Sequence, residues 1–158
     1  MACVVGAVVY GVGLAQTYSA GGHFGGRSNF QAYRYVTEPV ATTSTEFEVL
    51  WELSLDEINQ FGARGPITVD LSVEVEGAPV EFRVRTTGNR EMKPGTVTFA
   101  AGAEPDARSF TFASRGTAKA RCHYYVVEWR SPTGAEVRVN RGSAHLVLRA
   151  PRPPIDCV

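Results

Sequence analysis

The stretch Ile67–Glu76, ITVDLSVEVE, decides how this chain is read. Ile67, Val69, Leu71, Val73 and Val75 fall on one side of an extended backbone; Thr68, Asp70, Ser72, Glu74 and Glu76 fall on the other. Successive side chains of a strand point to opposite faces, so this period of two predicts a strand with one buried and one wet face. The Gly77-Ala78-Pro79 step then turns the chain into Val80, Phe82 and Val84, alternating with Glu81, Arg83 and Arg85. The two runs are expected to form a hairpin.

The same pattern extends outward in both directions. Upstream, Phe47, Val49, Trp51 and Leu53 alternate with Glu46, Glu48 and Glu52, and Phe30–Val36 adds a further run. Downstream come Val97 with Phe99, Phe110 with Phe112, Arg121–Arg130, Val137-Arg138-Val139 and Ala144–Leu148. Within Arg121–Arg130, Tyr125, Val127 and Trp129 share one face and Cys122, Tyr124 and Val126 the other. Apolar residues on both faces predict a central strand covered on both sides. Pro94-Gly95, Glu104-Pro105-Asp106, Gly116, Pro132-Thr133-Gly134 and Asn140-Arg141-Gly142 fall at the expected turns. One short helix is expected, capped by Ser54 with Glu57 three residues on, and carrying Leu55, Ile58 and Phe61 before Gly62.

Eight or nine short strands at regular spacing predict an all-β chain, an antiparallel β-sandwich of jelly-roll or immunoglobulin-like topology. Eight strands suit the jelly roll better than seven. The Cys…Trp…Cys spacing of immunoglobulin domains is missing, since only Cys122 falls in a core strand. The expected organisation is an N-terminal arm and hinge over residues 1–29, a sandwich over 30–150 and a proline-rich tail over 151–158. There is no internal repeat.

With 158 residues, 44% of them hydrophobic, the chain fits one domain. Sixteen basic and sixteen acidic residues cancel, which leaves no global basic excess to hold a nucleic acid. The balance hides an asymmetry. Glu38–Glu81 carries ten carboxylates against Arg64 alone, while Phe82–Val158 carries thirteen Lys/Arg against six Asp/Glu. Either acidic and basic strands lie side by side and pair across the sheet, or a dipolar surface orients assembly between copies. Three cysteines are too few for a disulfide scaffold, and all three are expected to stay reduced, although Cys3 and Cys157 lie near the two ends.

No charged residue precedes Arg27. The segment Ala2–Ala15, ACVVGAVVYGVGLA, offers Gly13-Leu14-Ala15 as a cleavage site but no positive n-region. Its fourteen residues fall short of the roughly 20 that a membrane-spanning helix needs. It reads instead as an apolar arm followed by the glycine hinge Gly21–Gly26, and it packs either as an extra strand on its own sheet or over a neighbouring subunit. The second is the expectation, with Val4, Val5, Val8, Val9, Tyr10, Leu14, Tyr18 and Phe24 as the assembly interface.

A search for chemistry returns little. His23 lies in the hinge, and His123 and His145 lie in strand runs where a half-buried histidine packs rather than catalyses. Metal-ligand spacings, nucleophile elbows and phosphate loops are all missing, and Gly11-Val12-Gly13 fails as a dinucleotide fingerprint because Gln16 holds the third glycine's place. No catalytic residue, metal or cofactor is expected.

Two functions remain. The first is a non-enzymatic structural subunit that joins a multi-chain particle through its arm, such as a viral or phage shell, decoration or cement protein. In outline this architecture is similar to small jelly-roll capsid and decoration proteins. It implies partners that are other copies of the chain and other shell proteins, with no direct nucleic acid and no membrane span, in a virion or extracellular assembly. The second is a secreted or surface immunoglobulin-like module that binds a protein or glycan through the loops Thr87–Pro94 and Ala101–Arg108.

Overall fold

The computed structural model describes residues 4–9, 14–20, 27–36, 38–54, 64–86, 90–114, 118–119 and 124–151. Every described element is a strand. In chain order they are β1 (Val4–Val9), β2 (Leu14–Ala20), β3 (Arg27–Val36), β4 (Val40–Thr42), β5 (Glu48–Ser54), β6 (Arg64–Gly65), β7 (Ile67–Glu76), β8 (Val80–Thr86), β9 (Arg90–Glu91), β10 (Val97–Phe99), β11 (Asp106–Ala113), β12 (Ala118–Lys119), β13 (Tyr124–Arg130) and β14 (Val137–Pro151). A seven-stranded antiparallel sheet runs β1-β2-β3-β14-β7-β11, with β4 also on β14; a five-stranded one runs β10-β8-β13-β5, with β9 on β8. Taking β3, β5, β7, β8, β10, β11, β13 and β14 as first to eighth, the sheets read 1-8-3-6 and 2-7-4-5.

One apolar core joins the two sheets, in the manner of a β-sandwich. Ile67, Val69, Leu71, Leu146 and Leu148 from the larger sheet meet Trp51, Phe82, Tyr125, Val127 and Trp129 from the smaller. The alternation of β7 is realised without a break, its odd-numbered residues buried and its even-numbered ones open to solvent or half-open. Burial pushes the Tyr125 phenol up.

Several expectations are corrected. The runs Ile67–Glu76 and Val80–Thr86 do not pair with each other: β7 lies between β14 and β11, and β8 between β10 and β13. The Gly77 corner carries the chain from one sheet to the other, with φ +106° at Gly77 and its N–H donating to the Gly102 carbonyl at 2.7 Å. Two amphipathic strands bury the same residues whether they lie side by side or face each other across a core, so their alternation does not choose between the two. Nor does Asn140-Arg141-Gly142 end a strand. β14 runs through it, with a bulge between Val139 and Arg141.

A second bulge, between Val127 and Glu128 of β13, leaves Leu50 as the extra residue of β5. It breaks the expected Phe47–Leu53 face, so that Leu50 and Trp51 are both buried while Val49 is 55% exposed. β13 is central, as expected, but its outer face is not covered throughout, because Tyr124 is 50% exposed. Ser54, the expected helix cap, closes β5, and the rest of that expected helix, residues 55–62, lies outside the described residues.

The N-terminal segment pairs within its own chain. β2 lies along β3 from Leu14 opposite Val36 to Ala20 opposite Phe30, and β1 lies along β2. Of the expected interface residues, Val4, Val5, Val8 and Val9 sit on β1, and Leu14 and Tyr18 on β2. Tyr10 and Phe24 lie outside the described residues, as do Cys3, Cys122, Cys157, His23 and His123. The charge asymmetry also has a local outcome, because acidic and basic strands interleave. Arg130 pairs with Glu81 and Arg138 with Glu76 across that divide, while Arg83 and Glu128 pair within the basic stretch, each pair directly opposite in register.

Candidate functional site

The outer faces of the two sheets differ in what their side chains do. On the five-stranded sheet the charges satisfy one another. Glu128, only 3% exposed, accepts from Arg83 Nε at 2.6 Å and Arg85 Nε at 2.7 Å, and pairs again with the Arg85 Nη2 group. The Arg83 and Arg130 guanidiniums lie over the Phe47 ring, at 3.8 and 4.4 Å from its centroid. Burial by itself would push the Glu128 carboxyl up; the hydrogen bonds and charges of Arg85 and Arg83 outweigh it and hold the group below the usual carboxylate range.

The seven-stranded sheet presents an open polar and aromatic face. Register alone sets its rows. Tyr33 on β3 lies opposite His145 on β14, His145 opposite Asp70 on β7, and Asp70 opposite Thr111 on β11. One step along, Tyr35, Ser143, Ser72 and Ser109 form the next row, and Arg141, Glu74 and Ala107 the one after. Alternate residues of four adjacent strands therefore meet on one surface, as the pleat requires.

The rings on this face are parallel. Tyr33 and His145 stack with centroids 4.1 Å apart and planes 7° apart, and Tyr33 and Tyr35 lie 6.2 Å apart at 3°. Beside them Thr111 Oγ1 donates to Asp70 Oδ1 at 2.7 Å, and the Ser72 and Ser109 hydroxyls share a hydrogen bond of 2.9 Å. A groove of about 430 Å³ runs over the second and third rows, between Tyr35, Ser72, Glu74, Ser109, Arg141 and Ser143. β3 is held in place from behind, where Arg34 Nε donates to the Glu52 carbonyl of β5 at 2.7 Å. Partial burial lowers the His145 imidazole, against the opposing pull of Asp70, and burial followed by the Tyr35 neighbour raises the Tyr33 phenol. The lowering favours the neutral imidazole, a form that carries one donor and one acceptor nitrogen.

His145 faces away from the core residues Ala144 and Leu146 and is half-buried. Among the described residues no three His, Cys, Asp or Glu side chains stand close enough to hold a metal ion. The loops expected to bind are partly something else: Arg90–Glu91 is β9, Met92 is buried, and Asp106–Arg108 already belongs to β11. Residues 87–89 lie outside the described residues. The tyrosines were not singled out in the sequence, although Tyr33 and Tyr35, two apart in an alternating run, were the available signal. Their partners on β14, β7 and β11 come from long-range pairing that no local pattern carries.

No protein-family model and no curated protein matches the chain. Among solved structures, one described as "CBM4 structure and function" aligns over 95% of this chain and 77% of its own, with 11% sequence identity and a TM-score of 0.29. Likeness at that level leaves the functional argument to the geometry.

Proposed function

We propose that this chain is a non-catalytic binding module, built as a jelly roll, that holds a saccharide on the outer face of its seven-stranded sheet. The jelly-roll reading rests on the strand order 1-8-3-6 and 2-7-4-5, the interleaving produced when two Greek keys wrap a sandwich. The binding reading rests on one observation: the parallel rings of Tyr35, Tyr33 and His145 beside matched rows of hydroxyls and a carboxylate.

A sugar ring offers a C–H face and a rim of hydroxyls. Aromatic rings supply apolar contact area for the first, and Asp70, Thr111, Ser72 and Ser109 supply donors and acceptors for the second. Because these groups stand on paired strands rather than on a loop, binding orders little that is not already ordered. Secretion or surface display is the setting this reading carries.

Titration calorimetry of the full chain against a panel of oligosaccharides tests it. At least one saccharide is expected to bind, with about tenfold or greater weakening in the Tyr33→Ala/Tyr35→Ala double variant. Failure of every saccharide to bind overturns the reading, as does a double variant that binds as well as the parent.

A second reading is favoured by the sheet's edge. Among the described strands β1 ends the seven-stranded sheet, so one side of Val4–Val9 offers backbone groups to a further strand. In that reading the chain is a structural subunit whose N-terminal strands add to, or exchange with, those of other copies or other shell proteins in a virion or extracellular assembly. Light scattering is expected to show an assembly that collapses to monomer when residues 1–26 are removed. Two monomers of equal stability overturn it.

A further inference from the structure

We infer that the saccharide carries a carboxylate and that Arg141 reads it; this rests on the binding-face reading above. β14 carries a bulge between Val139 and Arg141. Val139 faces the core opposite Val75, and strict alternation would turn Arg141 to the same side. The extra residue between them instead sets Arg141 opposite Glu74, on the outer face and at the groove wall. Bulges re-aim side chains in this way, and they do so next to binding sites more often than elsewhere.

Arg141 also differs from its neighbours in what it touches. Arg83, Arg85, Arg108, Arg130 and Arg138 each pair with a carboxylate. Arg141 is exposed and has no carboxylate within 4 Å among the described residues, although Glu74 is its partner in register. Its planar fork therefore keeps its donors for a ligand, and that fork matches a carboxylate two bonds at a time. Ser143 and the Ser72–Ser109 hydroxyl pair stand in the same groove, with the half-exposed Tyr35 ring at its side.

Glu74 sets a limit on the charge. It stands directly opposite Arg141 in register, accepts hydroxyl hydrogens and repels a second anion, so a groove with one unpaired cation beside one carboxylate suits a sugar with a single acidic group among its hydroxyls. A hexuronate has that form. A densely sulfated sugar brings further negative charge against Glu74, and a neutral sugar leaves the guanidinium without a partner.

The test is calorimetry on the full chain at fixed ionic strength, with oligogalacturonate and with the neutral galactose oligomer of the same linkage, for the parent, Arg141→Gln and Arg141→Lys. The parent is expected to bind the uronate about tenfold or more tightly than the neutral oligomer. Arg141→Gln should erase that preference, and Arg141→Lys should keep part of it. Equal binding of the two sugars by the parent, or a preference that survives Arg141→Gln, overturns the inference and leaves the saccharide reading standing. Binding of neither sugar, nor of any other in the wider panel, removes both.

Discussion

Gly142 shows how one missing side chain ties the core to the groove. A Cβ there would stand 3.0 Å from the Trp51 ring, 3.3 Å from the Ser72 carbonyl and 3.3 Å from Val73. Two of those neighbours are a buried ring and backbone, and neither gives way easily. Gly142→Ala is therefore expected to lower stability by about 1–3 kcal/mol in urea titration, the usual penalty for overpacking. Glu128 and His145 make a second residue-scale case, through pH. Both groups are held below their ordinary values when folded, so the unfolded chain binds their protons first. The His145 contribution is complete above pH 6.5 and is lost as pH falls through its lowered folded value; the Glu128 contribution is complete above pH 4.5 and is lost in the same way. Stability should therefore decline in two stages on acidification. His145→Phe, which keeps an aromatic against Tyr33, should remove the upper stage alone, and Glu128→Gln should flatten the lower one while lowering stability at pH 7. Denaturant midpoints across pH check this, and an unchanged profile in both variants would contradict it.

Among elements, what was legible in the sequence was the local part. ITVDLSVEVE names its own buried face because period two is a property of one strand, and the runs at β3, β5, β8, β10, β11, β13 and β14 were found by the same rule. What was not legible was pairing. The β7 and β8 strands look like a hairpin, because a tight corner and a hairpin turn use the same Gly and Pro signals, yet they belong to different sheets. The bulges at Leu50 and before Arg141 were hidden too, since one extra residue against a partner strand shows only once the partner is known. The binding face shares that limit: Tyr33, His145, Asp70 and Thr111 come from four strands, and each looks like ordinary solvent-side decoration in its own run. Pairing does set an order of local stability. Both edges of β7 and β13 are bonded along their length, whereas β10 and β11 each have one neighbouring strand among the described strands. Amides of β7 and β13 should exchange most slowly with deuterium, and faster exchange there than in β10 would contradict the sheet order.

At the scale of the whole molecule, the interleaving of charges explains how a chain with such a lopsided sequence still pairs its charges locally. Arg130 from the basic half pairs with Glu81 from the acidic half, and Arg83 and Arg85 pair with Glu128 within the basic half, closing the outer face of the five-stranded sheet and leaving the seven-stranded sheet with the open surface. One sheet is thus fastened by its own charges, and the other offers rings, hydroxyls and the Arg141 guanidinium. The central claim is that this second face holds the ligand, and two-dimensional amide NMR of the full chain, titrated with the oligosaccharide that binds most tightly in calorimetry, tests it most directly. The expected result is that resonances of Tyr33, Tyr35, Asp70, Ser72, Ser109, Arg141 and His145 move together in one saturable process. Shifts confined to Ala101–Pro105, to Pro132–Glu136 or to the Phe47–Arg83–Glu128 face would contradict it.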